Sequence, residues 1–197
     1  MIPFRKQKLQ NAIAYFAFEF NRRKGYYPRL TWIYKFLALL DFRSLKKTGV
    51  PCIGLEYDAM KFGPVPYFLY DFRSGLRFEK FKFIKTADGG YKVEPVGKPN
   101  LDYFSDDEID LMKEVLDEYT KNGVNLDDLI ANAHKEIKAW NKAWDIAVKL
   151  GRGRMPMRYE DEFDDLSQKS ENELTPEEEF FLIYKSMKDR EEAKTIS

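Results

Sequence analysis

The chain has 197 residues, of which 44% are hydrophobic and 16% aromatic, with 33 basic and 33 acidic side chains. That is enough apolar material for one sizeable core. The single cysteine, Cys52, excludes an internal disulfide, and the single histidine, His134, excludes a metal site built from several histidines. Because the sequence has no run of about 18 apolar residues and no signal-peptide pattern, we expect a cytoplasmic protein without a membrane segment.

The zero net charge hides a division between the two halves of the chain. Residues 1–100 contain 19 Lys and Arg against 8 Asp and Glu, a balance of +11, whereas residues 101–197 contain 14 against 25, a balance of −11. The acidic half can dock over the basic half, or the basic half can offer an exposed face to an acidic partner or to nucleic acid.

Two helices are predicted in the first fifty residues. Apolar residues recur at helical spacing over residues 5–23, and Gly25 is a suitable stop. The same spacing predicts a second helix over residues 30–47. Gly49 follows two lysines and is expected to cap that helix in the left-handed conformation.

A stiff Phe-Gly-Pro-Val-Pro segment occupies residues 62–66. A proline fixes φ and disfavours helix in the residue before it, but it is tolerated in a first helical turn. A helix is therefore predicted to start near Pro64 to Pro66 and to run toward Asp71. Residues 78–96 predict a β-hairpin, because apolar and polar residues alternate around a turn signal at residues 88–90.

The next segments are predicted to be helical up to about residue 150. Ser105 and Glu108 have the spacing of a capping box, and Asn125 can cap the helix that follows. An apolar stripe then continues through Ile137, Trp140 and Trp144.

Beyond residue 150 the composition changes. Residues 151–174 are glycine-containing, acidic and polar, which predicts a linker. Thr175 and Pro176, followed by acids, predict a terminal helix over residues 175–197. The predicted fold is mainly α: a compact helical domain over residues 1–150 with a small antiparallel β-hairpin near 78–96, then an acidic linker and a C-terminal helix.

Several short motifs carry a resemblance to a known family. They are Lys35-Phe36-Leu37, Leu40-Asp41, Gly49, Ile53-Gly54-Leu55, Tyr57-Asp58-Ala59, Gly63-Pro64-Val65-Pro66, Phe104-Ser105 with Glu108, and His134-Lys135-Glu136 with Trp140. At these residues the chain resembles the Panacea antitoxin domain family, also called SocA-like or phage-associated, of bacteria and their phages. The resemblance implies an antitoxin that neutralises a toxin by direct protein contact, with one relative acting as an adaptor that delivers the toxin to a protease.

The motif residues are expected to have structural roles. This set consists of Gly49, Gly54, Tyr57, Gly63, Pro64, Pro66, His134 and Trp140. His134 with Glu136 can also be interpreted as an acid–base pair in a cleft, against the alternative of a histidine that closes the core. The sequence contains no G-x-S-x-G elbow and no phosphate-binding loop, so we expect no enzyme activity, no metal and no cofactor.

Aromatic residues are the candidates for contact with a partner, because Tyr and Trp are favoured at interfaces. The candidates are Tyr26, Tyr27, Trp32, Tyr67, Tyr70, Phe163, Phe180 and Tyr184. The alternative is that they belong to the core. The first three lie near Arg22 and Arg23, a combination also found in platforms for single-stranded nucleic acid.

The predicted function is therefore that of an antitoxin in a toxin–antitoxin system, with phage defence as its setting. Its expected partner is a protein toxin encoded by the adjacent gene, and a homo-oligomer is compatible with the sequence. Nucleic acid is not the expected partner. The alternatives are a nucleic-acid-binding regulator that uses the basic half, and a proteolytic adaptor for the toxin.

Overall fold

The computed structural model describes residues 2–72 and 78–196. The described helices are α1 (Arg5–Lys24), α2 (Leu30–Thr48), α3 (Tyr67–Phe72), α4 (Asp106–Tyr119), α5 (Leu126–Glu136), α6 (Lys138–Lys149) and α7 (Pro176–Ile196). The strands are β1 (Tyr57–Met60), β2 (Gly63–Pro66), β3 (Phe81–Lys85), β4 (Tyr91–Pro95) and β5 (Arg154–Pro156). The prediction of a mainly α fold with a small antiparallel hairpin is confirmed.

The second helix, α2, forms the centre of the core. It contacts α1, α4, α5 and α7 as well as β2 and β4, and most of its side chains are buried. Its aromatic side chains pack against α1, with the ring centroids of Phe16 and Phe36 5.2 Å apart and those of Phe20 and Trp32 5.1 Å apart. Tilted aromatic pairs at such distances stabilise a core beyond their buried area.

The predicted helix ends are largely confirmed. Gly25 and Gly49 both adopt the left-handed conformation, with φ of 77° and 75°, and their backbone N–H groups bond to the last turn of α1 and α2. Ser105 and Asn125 each form a complete capping box. These ends are local features, so the nearby sequence is sufficient to specify them.

The apolar stripe that was expected to continue past Ile137 is interrupted. Ile137 has φ −98° and ψ 100°, which separates α5 from α6. The side-chain amide of Asn141 donates to the carbonyl oxygens of His134 (2.6 Å) and Ile137 (3.2 Å). The Ile137 oxygen also accepts the Asn141 backbone N–H (3.4 Å), so Asn141 links the end of α5 to the start of α6 where the helix is broken.

The prediction that the Gly-Pro-Val-Pro segment begins a helix is wrong. Gly63–Pro66 forms strand β2, which pairs antiparallel with β1, and α3 begins only at Tyr67. The Tyr67 N–H donates to the Glu56 oxygen (2.9 Å). Backbone hydrogen bonds to a neighbouring strand alternate along a strand, so the N–H groups of Gly63 and Val65 also point toward β1. The backbone nitrogens of Pro64 and Pro66 point away from β1. The prolines thus occupy the positions of this edge strand that need no N–H.

The predicted β-hairpin over residues 78–96 is confirmed. Strands β3 and β4 pair antiparallel with Phe81 opposite Pro95 and Lys85 opposite Tyr91. Phe81 and Val93 are buried on the face that packs against α1 and α2.

The segment after Gly151 is packed against the rest of the chain. Strand β5 pairs with β1, so that the three-stranded sheet has the order β2-β1-β5. Short 3₁₀ turns follow, and the Phe163 ring lies 4.9 Å from that of Phe181 on α7. The division of the chain into residues 1–150, 151–174 and 175–197 stays a prediction.

Candidate partner-binding groove

An open groove of about 900 Å³ lies between α3 and the sheet β2-β1-β5. Its apolar walls include Met60 from β1, Pro156 from β5, and Tyr67 and Tyr70 from α3. Tyr67 is 38% exposed. Tyrosine rings in a groove provide a large contact area and a polar tip, which suits the recognition of a protein partner.

Like Arg152, Arg154 lies on the β5 side of this groove. Its Nη1 lies 3.0 Å from both carboxylate oxygens of Asp71 and 3.6 Å from Oδ2 of Asp58, and its guanidinium lies 5.8 Å from the centroid of the Tyr67 ring. Burial raises the pKa of Asp58, and the Arg154 charge acts against that shift. The arginine therefore connects β5 to α3 across the groove.

A smaller cavity of about 170 Å³ continues the groove toward α7. The two cavities share Glu56, Tyr57 and Met157, and the second also includes Tyr184 of α7. The concave surface therefore extends from α3, across β1 and the segment after β5, to the side of α7.

A buried carboxylate holds the wall of the groove in place. Asp41 of α2 is 0% exposed and accepts hydrogen bonds from the backbone N–H groups of Ile53 (2.6 Å), Gly54 (3.1 Å) and Leu55 (3.1 Å). The Tyr57 hydroxyl also donates to Asp41 (2.9 Å). Burial raises the pKa of Asp41, whereas these donors favour its charged form.

Tyr159 joins the segment after β5 to this network. Its hydroxyl lies 2.7 Å from the Leu55 oxygen and 3.2 Å from Oδ2 of Asp41. The other side of the same loop is bound by Arg5, whose guanidinium donates to the oxygens of Ile53 (3.1 Å) and Gly54 (2.7 Å). The loop between α2 and β1 is therefore fixed by charged groups from both sides.

A second buried polar cluster lies behind β2. Lys35 is 0% exposed and donates to the Pro64 oxygen (2.9 Å). A Cβ on Gly63, which has φ 92°, would lie 3.0 Å from Cε of Lys35 and 3.1 Å from Nε2 of His134. The glycine thus permits close approach of the hairpin to both side chains.

His134 is held flat against Trp140. Their rings are stacked at 3.6 Å with an interplanar angle of 3°, and the Trp140 Nε1–H donates to the Met60 oxygen (3.1 Å). Burial, together with the charge of Lys35, lowers the pKa of His134 to about 4, and burial lowers the pKa of Lys35 to about 7. Nε2 of His134 is buried without a hydrogen-bond partner in the described part of the chain. This environment favours the core-closing interpretation over an acid–base pair.

The predicted partner residues do not form one surface. Tyr67 and Tyr70 line the groove and Tyr184 lines the smaller cavity beside it. Trp32 is 6% exposed and belongs to the core. Tyr26 is 50% exposed on a different part of the molecule, beside Phe20.

The remaining three candidates lie in three different environments. Tyr27 lines a cleft between α1 and the end of β4. Phe163 is packed against Phe181, and Phe180 of α7 is 57% exposed.

The predicted motif residues lie in the core and its tight turns. A Cβ on Gly49 would overlap the Glu177 oxygen of α7, and one on Gly54 would lie 2.7 Å from Cδ1 of Ile2 and 2.9 Å from the Tyr184 hydroxyl. Pro64, Pro66 and Tyr57 belong to the paired strands β1 and β2.

Sequence reasoning assigned no individual role to four residues that organise the groove, although two of them, Lys35 and Asp41, belong to the motifs that carry the family resemblance. They are Lys35, Asp41, Arg154 and Tyr159. A signal existed for the first two, because each is a charged residue inside the apolar stripe of α2. The last two lie in the segment that was interpreted as a linker, where no local pattern marks them.

No three His, Cys, Asp or Glu side chains within residues 2–72 and 78–196 are grouped so that they could hold a metal ion. In the same part of the chain, no helix combines the length and the apolar character needed to cross a bilayer.

Comparison with protein families matches residues 33–141 to the family described as antitoxin SocA-like, Panacea domain. The match extends from α2 into α6 and so includes β1, β2 and α3, and it spans more than half of the chain. No curated protein and no solved structure matched the chain.

Proposed function

Because the chain belongs to the SocA-like Panacea antitoxin family, we propose that it neutralises a protein toxin by direct binding in the groove between α3 and β5. The observation that carries this proposal is the position of Tyr67 and Tyr70 in an open, largely apolar groove whose α3 wall lies within the family match. Apolar anchors beside a charged group, here Arg154, are the usual composition of a protein interface.

The proposed activity is binding without catalysis. The two side chains of the candidate acid–base pair make structural contacts, since His134 stacks on Trp140 and Glu136 accepts hydrogen bonds from Arg43. Neutralisation requires only that the complex form and persist, so the chemistry of the groove is that of recognition. The toxin is expected to be the product of the adjacent gene.

The first test is co-expression of this chain with the product of the adjacent gene. We expect the neighbour to arrest growth when expressed alone, and to be rescued and copurified in the presence of this chain. A neighbour that is harmless and never copurifies would contradict the antitoxin function itself.

A second test locates the binding surface. Tyr67→Ala removes an anchor from the groove and should weaken the complex at least tenfold, the effect of a hot-spot residue. Tyr26→Ala is the matched control, since it removes another exposed tyrosine outside the groove. If Tyr26→Ala weakens binding while Tyr67→Ala has no effect, the antitoxin function stands but the groove is the wrong surface. Thermal midpoints of both variants must stay near that of the wild type.

The adaptor alternative is separated by toxin turnover. Direct neutralisation leaves the toxin concentration unchanged and its activity blocked, whereas delivery to a protease shortens the toxin half-life. Pulse-chase measurement in cells with and without the main cytoplasmic proteases distinguishes these two outcomes.

One observation favours a second candidate function, the nucleic-acid-binding regulator. A cleft of about 490 Å³ is lined by Phe18, Arg22, Tyr27 and Lys98, which combines stacking surfaces with positive charge. Such binding would weaken steeply with salt. Titration of labelled single-stranded DNA at two salt concentrations tests it, and Lys98→Glu should abolish any binding that uses this cleft.

A further inference from the structure

Helix α7 is seated tightly on α2. Phe181 is 1% exposed, and the first turn of α7 lies so close to Gly49 that a Cβ there would lie 2.8 Å from Cβ of Phe180 and 2.9 Å from the backbone nitrogen of Phe181. The rotation of the helix about its own axis is therefore fixed, and its outward face is defined by the packing of the inner one.

The outward face of α7 carries an apolar stripe. Ile183 is 57% exposed and Met187 is 50% exposed. Phe180 lies at the edge of this face: its Cβ is beside Gly49, but its side chain is still 57% exposed. The spacing of these three residues, three and four positions, places them in one row along the helix. Exposed anchors in this pattern are typical of a helix that packs against another helix.

A charged residue lies at each end of the stripe along the helix. Glu179 lies on the same face at the N-terminal end and Arg190 at the C-terminal end, and both are exposed. Neither forms an ion pair with any residue in the described part of the chain. The stripe thus has a negative end and a positive end.

This arrangement complements itself in one orientation. When two copies of α7 are placed antiparallel with Ile183 of one opposite Met187 of the other, Arg190 lies beside Phe180 and within one residue of Glu179. Arg190 of each copy can therefore pair with Glu179 of the other, and these two ion pairs form together with the apolar contacts. In a parallel arrangement, Glu179 would face Glu179 and Arg190 would face Arg190, which is unfavourable.

We propose that the outward face of α7 binds a second copy of this chain, so that the protein forms a two-fold symmetric dimer through antiparallel α7 helices. This inference goes beyond toxin binding, since it assigns a different surface and a different partner. The contact is isologous, as closed dimers require. Two such faces bury on the order of 1,000 Å² in total, near the lower limit of specific interfaces, so the dissociation constant should be in the micromolar range.

The test is the oligomeric state of the full-length protein, measured by sedimentation velocity from about 1 to about 200 μM. The wild type should change from monomer to dimer over this range. Glu179→Arg and Arg190→Glu should each lower the association constant at least tenfold, because each single change brings like charges together twice in a symmetric dimer. The double variant restores opposite charges and should dimerise again, and an equimolar mixture of the two single variants should form a heterodimer.

Ile183→Asp tests the apolar stripe, and Val148→Asp is its control. Ile183→Asp places a charge at the centre of the contact and should abolish the dimer, whereas Val148, 59% exposed on α6, should tolerate the same change without effect. Both positions are exposed, so circular dichroism should show folded proteins. A wild type that stays monomeric at all concentrations, or a double variant no better than the single ones, overturns the proposal. Weaker toxin binding by Ile183→Asp, with the wild type monomeric, would likewise overturn it and assign the stripe to the toxin.

Discussion

Gly63 shows how one residue can be specified by both backbone and packing. Its φ of 92° is unfavourable for residues with a Cβ, and the space beside it is occupied by Lys35 and His134. The sequence indicated an unusual glycine from the Gly-Pro-Val-Pro context. It could not indicate which side chains approach it, because Lys35 and His134 belong to helices distant in sequence.

We predict that Gly63→Val lowers the free energy of unfolding by roughly 1–3 kcal/mol, the cost of a strained backbone position, and more if Lys35 cannot move aside. Gly97→Val is the control: Gly97 also has positive φ (74°), but a Cβ there would have no neighbour within 4 Å. Urea unfolding of both variants gives the measurement. Equal losses would mean that packing against Lys35 and His134 contributes nothing.

His134 should make stability depend on pH. Its folded pKa is about 4, whereas an unfolded histidine has a pKa of about 6.5. The unfolded state therefore takes up the proton first, so the free energy of unfolding falls as the pH drops from about 6.5 to about 4, and this contribution is constant above that window. Lys35 changes the stability in the same direction at higher pH: the free energy of unfolding falls as the pH drops from about 10.4 to the folded pKa of Lys35, about 7.

The measurement for His134 is urea unfolding at pH 7 and pH 5, compared with His134→Gln. After allowance for solvent screening, the free energy of unfolding of the wild type should fall by about 1 kcal/mol more than that of the variant between pH 7 and pH 5. The loss of the Trp140 stack affects the variant at both pH values and cancels in the comparison. Parallel pH profiles would show that His134 is not kept neutral.

At the scale of elements, local signals specified most helices, and long-range pairing was not visible. Capping boxes and glycine stops predicted the ends of α1, α2, α4 and α5 because the relevant hydrogen bonds join residues close in sequence. Strand β5 could not be predicted, since it has three residues and pairs with β1 about a hundred residues earlier. The groove depends on the pairing of β5 with β1. The sequence therefore indicated Tyr67 and Tyr70 as candidate contact residues but did not indicate the β5 wall opposite them.

Tyr159 connects the 3₁₀ turn that follows β5 to the core. Its hydroxyl can be removed by mutation without removing the ring. Tyr159→Phe leaves the ring in place but removes the one O–H donor that lies within hydrogen-bond distance of both the Leu55 oxygen and Asp41. We expect the free energy of unfolding to fall by about 1–2 kcal/mol. Tyr103→Phe is the control, a tyrosine whose ring contacts Phe4. Thermal unfolding monitored by calorimetry checks both. If the two variants are equally stable, the segment is not anchored by this hydrogen bond.

At the scale of the whole molecule, the two oppositely charged halves face each other. Lys8 binds Glu108 at 2.6 Å, and Lys47 binds Asp107 at 2.7 Å. Arg43 of α2 joins two acidic helices at once, since it binds Glu118 of α4 (2.7 Å) and Glu136 of α5 (2.8 Å). The sequence-based expectation that the acidic half can dock over the basic half therefore has a structural counterpart in these pairs.

Arg43→Met should lower the free energy of unfolding by about 1–3 kcal/mol, because it leaves the partly buried carboxylates of Glu118 and Glu136 near each other without the donor that they share. The arginine side chain is only 16% exposed, so solvent cannot fully replace the lost bonds. Lys113→Met, which removes an exposed pair with Asp110 inside the acidic half, should change stability by less than about 0.5 kcal/mol. Chemical denaturation compares the two. Equal effects would mean that the pairs between the halves are no stronger than ordinary surface pairs.

The order β2-β1-β5 has a consequence for the edges of this sheet. The family match ends at residue 141 and contains β1 and β2, while the strand that completes the sheet lies beyond it. A chain with the matched region alone would leave one edge of β1 unpaired and able to accept a strand from another protein. In this chain that position is filled internally and ends in Pro156, a residue that cannot donate to a further strand. The segment after residue 150 therefore closes this edge of β1 to a strand from another protein.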